Sequence, residues 1–195
     1  MTIDAAAVKT ALRARIRAAR AARPETQRTA AAAAIANRVL ALPELSTASL
    51  VAAYAATAHE PGTSLLLSAL TTRGRVLLPV QRTDGDLDWA VYDRAAPLAV
   101  GAHGIHEPTG AVLGADAIAA ARVVVVPALA VDRIGRRLGQ GGGAYDRALR
   151  RTAAGTLVVA LLYDDELVDE LPAERHDVPV EAVVTPTRVV RLERE

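Results

Sequence analysis

The chain has 195 residues, 51% of them hydrophobic, with 23 Lys and Arg against 22 Asp and Glu for a net charge of +1. That length supports one domain with a sizeable core, and the near-neutral balance gives the chain as a whole no strong attraction for polyanions. With no cysteine, disulfides, thiolate chemistry and cysteine-held zinc are excluded, and with no apolar run near the roughly 20 residues of a bilayer span and no signal-type core, the cytoplasm is the expected location.

Residues 4–22 read as a helix capped by Asp4, with Val8, Leu12, Ile16 and Ala19 as its apolar stripe. Beside that stripe runs a basic one: Lys9, Arg13, Arg17 and Arg20. Lys9 is the only lysine in a chain that otherwise uses arginine. It reads either as chance or as a site that needs a compact ammonium on a flexible stem. A second helix starts near Pro24 and ends before Pro43, giving an N-terminal helical hairpin.

Apolar runs then predict strands at residues 49–54, 75–80, 122–126, 156–162, 182–184 and 188–190, with helices at 64–72 and 145–151. Residues 87–92 alternate after the turn Asp84-Gly85-Asp86 and predict an antiparallel strand. Buried strands separated by helices give a three-layer α/β fold, a mostly parallel sheet with helices on both faces. No repeat or linker divides the chain, so residues 1–195 are expected to form one domain, and a monomer is expected.

The informative segment is VPALAVDRIGRRLGQGGGAYDRAL, residues 126–149. It starts where a buried strand ends, carries Gly135, Gly139, Gly141, Gly142 and Gly143, and opens into a helix at Tyr145, Asp146 and Arg147. Glycines let the backbone approach a ligand, and successive amides before a helix make a concave anion site. Arg136 and Arg137 add charge at its mouth. The physical reading is a phosphate cradle; the plainer one is a surface loop. A Walker A motif is excluded, because no lysine follows any glycine. Gly139, Gly141 and Ala144 do satisfy the dinucleotide pattern G-x-G-x-x-A, and Asp164 lies where a ribose ligand belongs, which keeps a nicotinamide-linked oxidoreductase as the alternative. Its weakness is the stretch that separates strand from first glycine. A nucleic-acid-binding module built on the basic first helix is disfavoured by the near-zero charge and the few aromatics.

Residues 126–149 closely resemble the signature of the 5-formyltetrahydrofolate cyclo-ligase family, VPGLAFD-x-x-G-x-RLG-x-GGGYYDR-x-L. The likeness continues in order along the chain. Lys9 with Leu12-Arg13 resembles the family's K-x-x-LR, Tyr54 with Glu60 and Thr63 its strand and E-x-x-T turn, and Leu78-Pro79 its L-P strand end. Gly104-Ile105-His106-Glu107-Pro108 resembles G-I-x-E-P, and His176-Asp177 the C-terminal h-D element.

The resemblance implies ATP-dependent closure of 5-formyltetrahydrofolate to 5,10-methenyltetrahydrofolate, with ADP and phosphate released through a phosphorylated formyl intermediate. It implies small-molecule substrates only, with no nucleic acid and no membrane. It places Lys9, Arg13 and Arg137 in catalysis and ATP binding, with Leu138, Gly139, Gln140, Gly141, Gly142, Gly143, Ala144 and Tyr145 completing the ATP loop. Ala55, Glu60, Gln140 and Ala144 fall at folate positions, and Asp146 and Asp177 at magnesium positions. Outside the resemblance, Asp146 is also an ordinary first-turn aspartate, and Arg17 and Arg20 read as a solvated face. Ala144 stands where the family has a tyrosine, Val131 where it has phenylalanine and Ala128 where it has glycine. His59, His103, His106 and His176 have no metal-ligand spacing and read as loop histidines.

Overall fold

The structure, a computed structural model, describes residues 5–101, 104–172 and 177–192. Asp4, expected to cap the first helix, and His103 and His176 lie outside the described residues. Two helices lead the chain, α1 at Ala5–Ala22 and α2 at Glu25–Leu40, with Pro24 at the entry to the second. Proline suits that position because its missing N–H is one of the donors a helix start leaves unpaired.

Strand β1 at Leu50–Ala52, helix α3 at Ser64–Leu70 and strand β2 at Arg75–Gln81 follow. Strand β3 at Leu87–Val91 runs antiparallel to β2, as its alternation predicts. Two short strands, β4 at Ala99–Val100 and β5 at His106–Glu107, pair with each other. Then come β6 at Val123–Pro127, the small hairpin of β7 at Ala130–Val131 with β8 at Arg137–Leu138, and helix α4 at Ala144–Leu149. Strands β9 at Leu157–Leu161, β10 at Ala182–Val184 and β11 at Val189–Arg191 complete the order.

The main sheet reads β11-β10-β9-β6-β1-β2-β3. Its interior pairings are parallel and only the edges, β3 and β11, are antiparallel. The alternation of side chains along a strand distributes the four central valines to two cores. Val123 and Val125 meet Ile35 and Val39 of α2 and Leu66 and Leu70 of α3. Val124 and Val126 meet Ile118 and, from α4, Ala148 and Leu149. The expected three layers result.

The two N-terminal helices follow one another but bury themselves in different places. Helix α2 belongs to the main core, whereas Ile16 of α1 packs with Leu129, Leu138 and Leu171 beside the β7–β8 hairpin. The expected apolar stripe of α1 is mostly not what it buries. Its buried residues are Lys9, Ile16 and Arg20, while Val8 is 36% exposed. The basic stripe faces the protein.

The β7–β8 hairpin interrupts what the sequence reads as one long loop. The buried Asp132 carboxylate makes it, accepting the amides of Ile134 and Arg136 through Oδ1 and that of Leu171 through Oδ2. Gly135 takes φ of 87° there, and a Cβ on it would fall 2.4 Å from the Val180 carbonyl oxygen.

Candidate active site

Strands β1 and β6 are neighbours, but the chain leaves them toward opposite sides of the sheet, to β2 and to β9. Loops that leave such a pair diverge and open a crevice at the carboxyl ends, the usual ligand site of an open α/β sheet. A cleft of about 1370 Å³ lies there, lined by residues 54–60 after β1, by 127–129 and 137–147 after β6, and by α1. It exceeds the roughly 300–1,000 Å³ of most single-ligand pockets.

On the β6 side, the buried Arg137 places Nη2 2.9 Å from Asp146 Oδ1, with its guanidinium 5.8 Å from the centre of the Tyr145 ring. A Cβ at Gly139 would come within 2.8 Å of Arg137 Nη1, so glycine leaves room for that arginine. Gly141 has φ of 111°, and Gly143, at 67°, is the left-handed residue that starts α4. Two carbonyls of this loop are held by arginines: Arg13 Nε donates to Gly139 O at 2.9 Å, and Arg147 Nη2 to Gly142 O at 3.1 Å. The amides of residues 139–143 donate to no acceptor among the described residues. A loop with two acceptors bound and its donors unpaired is a receptor for an anion.

Helix α1 approaches this loop with one face. Lys9 Nζ lies 3.3 Å from Asp177 Oδ2, and Arg17 grips Gln140 Oε1 through Nε at 3.1 Å and Nη2 at 2.6 Å. Arg147 also donates to Gly85 O at 2.5 Å, tying the β2–β3 turn to the loop.

Asp146 and Asp177 both line the cleft, and the Val178 amide, next in the chain to Asp177, lies 3.5 Å from Asp146 Oδ1. Among the described residues no group of three or more His, Cys, Asp or Glu side chains is arranged to hold a metal. Two carboxylates on one cleft suit a hard cation that takes its remaining oxygens from phosphates and water, which is how magnesium is commonly held.

The β1 side is built from side chains. The Thr63 hydroxyl donates to Tyr54 O at 2.8 Å and accepts from Ala56 N at 2.9 Å. Glu60 Oε2 accepts from Thr57 N at 2.9 Å. Four buried polar atoms of cleft residues have no hydrogen-bond partner among the described residues: Tyr54 Oη, Tyr145 Oη, Gln81 Oε1 and Arg137 Nε. Burial pushes both phenols up, and the Glu60 charge adds to it, so both stay protonated near neutrality. Buried polar groups are nearly always paired, so four orphans on one cleft mark where a polar ligand belongs.

Every residue assigned from the sequence to ATP, folate or metal lines this cleft. Two sequence readings need correction. Arg20 is buried, 2% exposed, against Glu166, so it does not belong to a solvated basic face, whereas Arg17 is exposed as expected while it reaches Gln140. Asp164 is no ribose ligand: it accepts the hydroxyls of Thr185 and Thr187, each at 2.5 Å, and it does not line the cleft. Arg17, Gln81 and Arg147 escaped the sequence reading; for Arg17 the signal was the four-residue step continuing from Lys9 and Arg13.

The sequence model of the family described as 5-formyltetrahydrofolate cyclo-ligase matches residues 5–186. A 5-formyltetrahydrofolate cyclo-ligase from Mycolicibacterium smegmatis is 48% identical over 144 residues, covering 71% of this chain and 74% of that one. The enzyme of that name from Escherichia coli is 36% identical over 174 residues, 87% of this chain and 95% of its own. Among solved structures, a 5,10-methenyltetrahydrofolate synthetase from Aquifex aeolicus superposes with a TM-score of 0.82 at 29% identity, over 96% of this chain and 94% of that one.

Proposed function

The chain belongs to the 5-formyltetrahydrofolate cyclo-ligase family, and from that premise we propose how its cleft carries out the reaction. The enzyme converts 5-formyltetrahydrofolate to 5,10-methenyltetrahydrofolate in an ATP-dependent cyclisation. The ATP phosphates lie on the amides of residues 139–143, with Lys9, Arg13 and Arg137 around them. The folate lies across Ala55, Glu60, Gln140 and Ala144, where Tyr54, Tyr145 and Gln81 offer their unpaired polar atoms.

An N-formyl oxygen is a poor leaving group. Transfer of the γ-phosphoryl group to that oxygen breaks the bond to the bridging oxygen of ADP and gives an iminium phosphate at N5. N10 then attacks the same carbon and loses its proton, and the carbon–oxygen bond breaks to release phosphate. Catalysis here is alignment of the two substrates and stabilisation of charge on the transferring group, so no protein nucleophile is needed. Asp146 and Asp177 would hold magnesium, which supplies charge neutralisation for the phosphates. The same reading makes residues 1–195 one domain that acts as a cytoplasmic monomer; no helix among the described residues is long and apolar enough to cross a membrane.

One observation supports this reading above the others: unpaired loop amides, the α1 cations and orphaned phenols share one cleft large enough for two substrates. The test is methenyl absorbance on mixing the protein with 5-formyltetrahydrofolate and MgATP. Product is expected, and omission of ATP or chelation of the metal should abolish it. Folded protein that yields no product overturns the reading.

A further inference from the structure

Helix α1 carries Lys9 and Arg13 to the cleft, yet it buries only one apolar side chain, Ile16. Apolar packing alone locates such a helix poorly. Away from the glycine loop and Asp177, its buried polar anchor is Arg20, whose side chain makes three hydrogen bonds. Its Nε lies 2.7 Å from Glu166 Oε1, and its Nη2 lies 2.8 Å from Glu166 Oε2 and 2.7 Å from the Ala128 carbonyl oxygen. Arg20 is 2% exposed and Glu166 3%. Glu166 is itself fixed, since Oε2 also accepts the Tyr163 amide at 2.9 Å.

The three elements joined here are the three walls of the cleft. Ala128 follows β6 and lines the cleft at the start of the segment that becomes the glycine loop. The Tyr163 hydroxyl reaches the Glu60 carbonyl oxygen at 3.4 Å, on the opposite wall, and Arg23 of the α1–α2 turn covers the Tyr163 ring at 4.1 Å. Lys9, Arg13 and Arg20 share one face of the helix, because steps of 4 and 11 residues return to within roughly 40° and 20° of the starting direction. A rotation or slide of α1 at Arg20 is therefore passed directly to Lys9 and Arg13.

A buried ion pair is a weak device for stability, since an apolar pair of similar volume often serves as well or better. What the apolar pair lacks is direction. Fixed donor and acceptor geometry holds a helix in one rotation and register. We propose that Arg20 and Glu166 are positioning residues for the phosphoryl transfer, setting α1, and with it Lys9 and Arg13, against the end of β6 and the Glu60 turn.

The inference rests on the cleft being the ATP–folate site, and wild-type enzyme assayed in parallel separates the two: failure of that reading shows as no product from the wild type. The test is the double variant Arg20→Met with Glu166→Leu, which removes both charges together. We expect a cooperative melt at a somewhat lower temperature than the wild type, because the Tyr163 amide and the Ala128 carbonyl lose their partners. Binding of a non-hydrolysable ATP analogue and of folate should stay within about threefold, while kcat per ATP-binding site falls about tenfold or more, the size of loss that small misplacements produce. A structural role alone does not give that split. Wild-type kcat in the folded double variant overturns the proposal, as does a loss in which kcat and both binding constants move together. Arg20→Lys decides the matter if the double variant does not fold: it keeps a charge beside Glu166 but has no fork to span Glu166 and Ala128. A several-fold lower kcat with unchanged ATP binding supports the positioning role, and wild-type kcat overturns it.

Discussion

The two loops that meet between β1 and β6 are built on opposite plans. After β6 the chain offers backbone: glycines at 139 and 141–143, two carbonyls held by Arg13 and Arg147, and amides with no acceptor among the described residues. After β1 it offers side chains on a backbone that other side chains fix, with the Thr63 hydroxyl bonded to Tyr54 O and Ala56 N, and Glu60 closing its own turn on Thr57 N. A phosphate is small, charged and roughly symmetric, so converging amides read it well. A pterin is flat, with distinct donors and acceptors along its edge, and its recognition needs polar groups fixed in direction. The contrast fits the proposal that the ATP phosphates sit on the loop after β6 and that folate reaches the loop after β1, with Gln140 and Ala144 shared between the two substrates.

The largest expected break in that contrast is Arg137→Ala. It removes the buried cation beside the loop and leaves the Asp146 carboxylate without its 2.9 Å partner. Loss of one such stabilising donor costs about 100-fold in kcat, about 2.7 kcal/mol. A smaller loss than tenfold in steady-state kinetics would move Arg137 from the chemistry to the scaffold.

Lys9→Arg keeps the charge but exchanges a compact ammonium for a planar fork. If Lys9 delivers a point charge to phosphate, kcat/KM for ATP falls about tenfold, about 1.4 kcal/mol. Wild-type kinetics would leave Lys9 as the structural partner of Asp177 alone.

Thr63→Val sharpens the comparison from the other wall. It removes the hydroxyl that serves both Tyr54 O and Ala56 N. The variant should lose about 1–3 kcal/mol of stability in a denaturant melt, because the amide left behind is buried and unpaired. KM for 5-formyltetrahydrofolate should rise several-fold, while KM for ATP holds; equal rises in both would dissolve the division between walls.

The smallest effect is expected at Ala144. A tyrosine here adds a ring beside the folate, worth about 0.5–1.5 kcal/mol beyond burial. Ala144→Tyr should lower the folate KM several-fold and leave the ATP KM unchanged. A raised folate KM instead would mean that Tyr54, already buried in this cleft with an unpaired hydroxyl, occupies that space.

Much of this was legible before any coordinates. The valine run at 123–126 is too apolar for anything but a strand buried on both faces, and it is the centre of the sheet. The glycine loop declared its anion chemistry because backbone freedom is written directly in residue type. The β7–β8 hairpin was not legible, since Asp132 makes it partly through Leu171, far along the chain. Asp164 misled for the same reason: its spacing suited a ribose, but Thr185 and Thr187 claim it.

The sequence alone determined the seven strands of the main sheet and the glycine loop, because each follows from neighbours within a few positions. Which way α1 faces was decided only by the tertiary structure. By periodicity the apolar stripe belongs inside, and by charge the basic stripe belongs in water. The fold reverses this because the partners of the basic stripe, Gly139, Gln140, Glu166 and Asp177, come from more than a hundred residues away. An arginine is buried when its donors are met, and no local pattern carries the position of an acceptor that distant.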